Sequence, residues 1–127
     1  MNYLLDTHTA IWALDDKAKL SEKAKAIIDD VSISLCVSII SAWEIAIKTS
    51  IGKLNFVGGS EFFLGEMQKN GLELLNIKGS YIKYVETLEF HHRDPFDRLL
   101  ISTALAEDLT IITIDENIQK YDVKWIW

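Results

Sequence analysis

Short apolar runs separated by helix-patterned stretches constrain this chain more than any other feature of its sequence. Tyr3 to Leu5, Ile33 to Val37, Leu72 to Ile77 and Thr110 to Ile114 have the length of buried strands rather than of core helices. Between them, Thr7 to Leu14, Ser21 to Asp30, Ser41 to Lys53, Glu61 to Asn70, Tyr81 to Glu89 and Asp94 to Asp108 read as helices. The third helix carries Trp43, Ile47 and Ile51 at spacings of four, and Trp12 and Trp43 are expected on core faces. Gly71 suits a C-cap, and Asp94-Pro95-Phe96-Asp97 combines an Asp N-cap, Pro at the first helical position and an acid in the first turn. Val123 to Trp127 alternates like a final strand. Such alternation predicts one α/β domain over residues 1–127, with a mainly parallel central sheet flanked by helices on both faces.

The chain's 127 residues suffice for one hydrophobic core, and 49% hydrophobic with 25% charged residues is a globular composition. No apolar stretch reaches the length of a membrane span, and Met1 to Asp6 lacks the basic and apolar regions of a signal peptide. A cytoplasmic chain with no membrane partner is the expectation. The single cysteine, Cys36, lies inside an apolar run and reads as a small buried hydrophobe.

In open parallel sheets, ligands bind beyond the carboxyl ends of the strands. Two apolar runs end at that edge in an acid, Leu5-Asp6 and Ile114-Asp115, and Glu44 and Asp97 lie in first turns of helices that start there. Each acid has a bland reading. Asp6 and Asp115 suit N-caps, and Ser41-Ala42-Trp43-Glu44 fits a capping box. Capping does not predict four acids converging on one edge without matching cations, because clustered carboxylates repel unless a cation joins them. All-oxygen ligands select Mg²⁺ or Mn²⁺, and the chain lacks the Cys/His spacing of a zinc site. A pair of such ions activates water and stabilises the leaving oxygen of a phosphodiester.

Leu5-Asp6-Thr7-His8, Ser41-Ala42-Trp43-Glu44 running on to Lys48, His92-Arg93-Asp94-Pro95-Phe96-Asp97-Arg98 and Thr113-Ile114-Asp115 together resemble the PIN-domain ribonucleases. In order and spacing they are similar to VapC-type toxins of toxin-antitoxin pairs over essentially the whole chain. The resemblance implies that Asp6, Glu44, Asp97 and Asp115 hold the metal, that the substrate is RNA, that a cognate antitoxin neutralises the protein, and that the chain forms homodimers.

Thr7, Lys48, Arg98 and Thr113 are candidates for substrate contact. Capping, an ion pair with Glu44, a structural pairing and an interior strand position are their respective alternatives. Asp94 is assigned to the helix cap; His8, His91, His92 and Arg93 are further groups near the edge. One rival function is a metal-independent ribonuclease using His91 and His92. Another is a non-catalytic PIN-like domain. A receiver-like binding domain fits poorly, because Thr7 follows Asp6 and the third run, Leu72 to Lys78, offers no phosphoacceptor aspartate. The net charge of −6 is not that of a basic RNA-binding domain, but setting aside the −4 of the four candidate ligands leaves only −2.

Overall fold

Local chemistry sets most of the element boundaries. The computed structural model describes residues 2–127 and contains strands β1 (Tyr3–Leu5), β2 (Leu35–Ser38), β3 (Glu73–Leu75), β4 (Thr110–Ile112) and β5 (Trp125–Ile126). Helices are α1 (Thr7–Asp15), α2 (Glu22–Asp29), α3 (Ile39–Ser50), α4 (Gly59–Lys69), α5 (Gly79–Val85), α6 (Pro95–Glu107) and α7 (Glu116–Gln119). Ser21 caps α2 through a bond from the Ala24 amide, and Gly71, at φ +79°, takes the left-handed conformation that closes the α4 terminus. Asp94 caps α6, accepting from the amides of Phe96 and Asp97 at 2.9 and 3.1 Å.

The strands form one all-parallel sheet in the order β3-β2-β1-β4-β5. Alternate residues point to opposite faces, and the register aligns them into two cores. Leu5, Val37 and Ile112 face α1, α2, α3 and α4 in a cluster with Ile11, Ile45 and Phe63; Leu4, Cys36 and Ile111 face α6 and α7 with Leu100, Ile101 and Ile118. Complete burial of Leu4 or Ile111 contributes roughly 1.5–3 kcal/mol each. The chain leaves β1 toward β2 on one side and returns to pair β4 on the other. The switch point therefore lies between β1 and β4, and its crevice opens beyond Leu5 and Ile112.

Several expectations need correction. Helix α3 begins at Ile39 because Ser38, not Ser41, is its cap, its hydroxyl accepting from the Ile40 amide. Ser41 is consequently buried within the first turn, so Ser41 and Glu44 form no capping box. Trp43 and Ile51 are 53% and 59% exposed, because the buried stripe of α3 runs through Ile40, Ser41, Glu44 and Ile45 instead. Strand β4 stops at Ile112, where its pairing to β1 ends, and Asp115 caps α7. Cys36 is buried as expected, its thiol donating to the Tyr3 carbonyl at 3.2 Å and pushed up to about 12 by burial.

Candidate metal-binding active site

Asp6 follows β1 directly and is almost fully buried. Its Oδ1 accepts from the Thr9 amide at 2.9 Å, and its Oδ2 accepts from the Thr113 hydroxyl at 2.5 Å. Thr113 Oγ1 also accepts from the Asp115 amide at 3.0 Å, so one threonine ties the two strand-end acids together. Burial raises the pKa of Asp6, and the bonds from Thr113 and Thr9 only partly oppose it. Thr7 donates from its hydroxyl to Ser41 Oγ at 2.9 Å, joining the start of α1 to the first turn of α3.

Glu44 stands on that helix and is 3% exposed. Lys48, one turn later, holds its Oε2, while Oε1 is buried and has no hydrogen-bond partner among the described residues. Partial burial disfavours the Lys48 ammonium, but the bond to Glu44 and the nearby Asp94 and Asp97 outweigh it, so its pKa lies above the ordinary value. Asp97 sits in the first turn of α6 and is pushed up to about 7, first by burial and then by Asp94, Asp115 and Glu44, against the lowering effect of a bond with His92. All four sequence-selected acids thus lie at one edge, and Glu44 and Asp115 are close enough to Asp97 to raise its pKa.

Capping accounts for Asp6 and Asp115, whose carboxylates accept from Thr9 and Asn117 amides. It does not account for Glu44 or Asp97. As they stand, no three acids or histidines among the described residues close around an ion. The side chains instead engage protein donors: Glu44 on Lys48, Asp97 on His92, Asp6 on Thr113 and Thr9. The donor set nevertheless fits a hard divalent ion, since it is all oxygen and includes a desolvated carboxylate oxygen that no group among the described residues satisfies.

His92 and Tyr121 are the residues that sequence reasoning did not connect. Arg98 donates to the Tyr121 hydroxyl at 2.9 Å; that hydroxyl lies 2.9 Å from His92 Nδ1, and His92 Nε2 lies 3.0 Å from Asp97 Oδ2. One set of protons satisfies the whole chain: Arg98 to Tyr121, Tyr121 to Nδ1, and Nε2–H to the carboxylate. Of the two readings of Arg98, substrate contact and structural pairing, the geometry matches the structural pairing. The Arg98 guanidinium is buried, donating also to the carbonyls of Glu89 and Leu88, because α6 turns it inward beneath the 88–92 loop. No signal in the sequence marks Tyr121, which reaches His92 from 29 residues away.

No curated protein sequence matches this chain. Solved structures do. A chain of VapBC2 from Rickettsia felis, bound to a promoter DNA fragment, has a TM-score of 0.72 at 16% identity, covering 100% of this chain and 99% of that one. DNA-bound VapBC from Salmonella typhimurium gives 0.71 at 16% identity, covering 99% and 97%. A toxin-antitoxin complex from Klebsiella pneumoniae gives 0.66 at 15% identity, covering 99% and 97%. These likenesses establish the fold. The PIN domain family matches residues 3–124, almost the entire chain, in keeping with the all-parallel sheet and its acidic edge, and the protein belongs to the PIN-domain family.

Proposed function

We propose that this chain is a Mg²⁺- or Mn²⁺-dependent endoribonuclease and the toxin of a toxin-antitoxin pair. The observation that carries the reading is Glu44 Oε1, buried and unpartnered beside Asp97 at the carboxyl edge of the sheet. Asp6, Glu44, Asp97 and Asp115 would hold the ion. When bound, a divalent ion supplies Lewis-acid activation of water and of the scissile phosphate. The protein's own part is to fix the donors. Thr113 orients Asp6 and the Asp115 backbone, and His92 holds one oxygen of Asp97. Lys48, released from Glu44, is the cation placed to meet a phosphate, whereas Thr7 is committed to Ser41. The histidine reading is weakened at His92, whose two ring nitrogens are both engaged, by Tyr121 and by Asp97.

The antitoxin role is supported by the fold shared with chains of VapBC and toxin-antitoxin complexes. An acidic crevice on an acidic chain favours an antitoxin that offers Arg or Lys. Exposed Trp43 and Ile51 on α3 give a homodimer an apolar surface to cover. No helix among the described residues is long and apolar enough to cross a membrane. The test is cleavage of single-stranded RNA by purified protein free of partner. Cutting that requires Mg²⁺ or Mn²⁺ and leaves 5′-phosphate and 3′-hydroxyl ends is expected; cleavage that persists in chelator, or cyclic phosphate ends, overturns the reading.

A further inference from the structure

The loop that carries His92 to Asp97 also forms an open depression of about 480 Å³, lined by Phe90, His91, His92 and Arg93. Phe90 is 79% exposed, an unusual position for a large apolar ring. It is nevertheless held in place. The Arg98 guanidinium lies 4.0 Å from the ring centroid and is itself fixed by bonds to the Glu89 and Leu88 carbonyls and the Tyr121 hydroxyl. One face of the ring is thus braced on a buried cation while the rest is open to solvent.

Arg93 is exposed beside it and makes no hydrogen bond or ion pair among the described residues. His92 forms a wall shared with the acidic site, since its ring lines the depression and bonds Asp97 at 3.0 Å. A braced aromatic face, a free guanidinium and a shared wall with the acids are the components of a stacking platform for single-stranded nucleic acid. The small extent of the depression, bounded by four consecutive residues, suits one base better than a helix of a protein partner.

We propose that this depression is a nucleobase subsite, in which Phe90 stacks one unpaired base of RNA and Arg93 holds an adjoining phosphate, setting where the strand lies relative to the acids. The subsite rests on the nuclease reading and specifies its substrate as single-stranded RNA engaged through a base next to the cut. Base-aromatic stacking is sequence-tolerant, so the contribution is to register more than to base identity.

The experiment compares wild type, Phe90→Ala, Phe90→Trp and Arg93→Gln in Mn²⁺ with a short unstructured RNA, reading KM and the cleavage pattern. RNA binding in chelator is followed by fluorescence anisotropy. Phe90→Ala is expected to raise KM and weaken binding about 5- to 150-fold, with Phe90→Trp restoring both. Arg93→Gln should weaken binding and flatten its salt dependence. Melting temperature and Mn²⁺ binding by calorimetry should match wild type in all three, because none of these side chains lies in a core or holds the ion. Wild-type cleavage with an unchanged Phe90→Ala KM and pattern overturns the subsite while leaving the nuclease intact. A wild type that neither cuts nor binds the RNA overturns both. Phe90→Ala that handles RNA as wild type but no longer holds a protein partner assigns Phe90 to a protein interface instead, and the subsite is again overturned.

Discussion

His92 Nε2 lies 3.0 Å from Asp97 Oδ2, so one oxygen of this acid is occupied by the protein and the other is left for a ligand. Imidazoles that orient a ligating carboxylate typically change metal affinity 10- to 100-fold when removed. His92→Ala should weaken Mn²⁺ binding by about that factor. Tyr121→Phe, which removes the hydroxyl shared by His92 and Arg98, should weaken it less and cost about 1–3 kcal/mol of stability by leaving buried donors unpaired. Calorimetric titration with Mn²⁺ and denaturant melts measure both; unchanged Mn²⁺ affinity in His92→Ala would remove the positioning role.

The pKa of Asp97 gives metal-free stability a definite pH dependence. The carboxyl rises from an ordinary 3.8 to about 7 on folding, so between those values the native state binds more protons than the unfolded chain. The stability that Asp97 contributes should therefore fall as pH rises from about 4 to about 7. Asp6, also raised by burial, contributes the same sign. Asp97→Asn should flatten the slope and equal or exceed wild type at pH 8 in chelator. Thermal melts of both proteins across pH decide it, and the same slope in Asp97→Asn as in wild type would show that the carboxyl is not raised.

Metal should reverse that order. If the acids hold the proposed ion, added Mn²⁺ should stabilise wild type by mass action, about 2.7 kcal/mol at a hundred times the dissociation constant, and this gain should shrink sharply in Asp97→Asn and Glu44→Gln. Equal gains in all three proteins, read from melts with and without Mn²⁺, would remove these acids from the metal site.

Lys48 competes with any ion for Glu44. Lys48 is partly exposed while Glu44 is buried, so Lys48→Met leaves the carboxylate in need of a cation and should tighten Mn²⁺ binding. Weaker binding in the variant would mean that Lys48 instead holds Glu44 in its ligating position. RNA should be bound less well by Lys48→Met, which separates the two consequences of one substitution.

The sequence made the scaffold legible where local chemistry and period agreed. Asp94 and Pro95 marked the start of α6, and the short runs around Leu4, Val37 and Ile111 marked a parallel sheet whose carboxyl edge collects Asp6, Glu44, Asp97 and Asp115. It misled where two candidates of the same chemistry competed, as with Ser38 and Ser41 for one cap. The i+4 spacing of Trp43, Ile47 and Ile51 was real, but periodicity does not say which stripe faces inward. Arg98 stayed open between substrate contact and structural pairing because its partners are carbonyls of an irregular loop and a tyrosine from beyond β4, none of which has a sequence signature.

The bond from Thr113 to Asp6 spans 107 residues, and β1 cannot complete its pairing until β4 exists. At synthesis rates of about 5–20 residues per second, Asp6 waits roughly 5–20 s for the threonine that orients it. A nascent chain therefore has its first carboxylate long before it has a working edge. For a protein proposed to be a toxin, the edge that would do the damage is completed only by residues made near the end of this sequence.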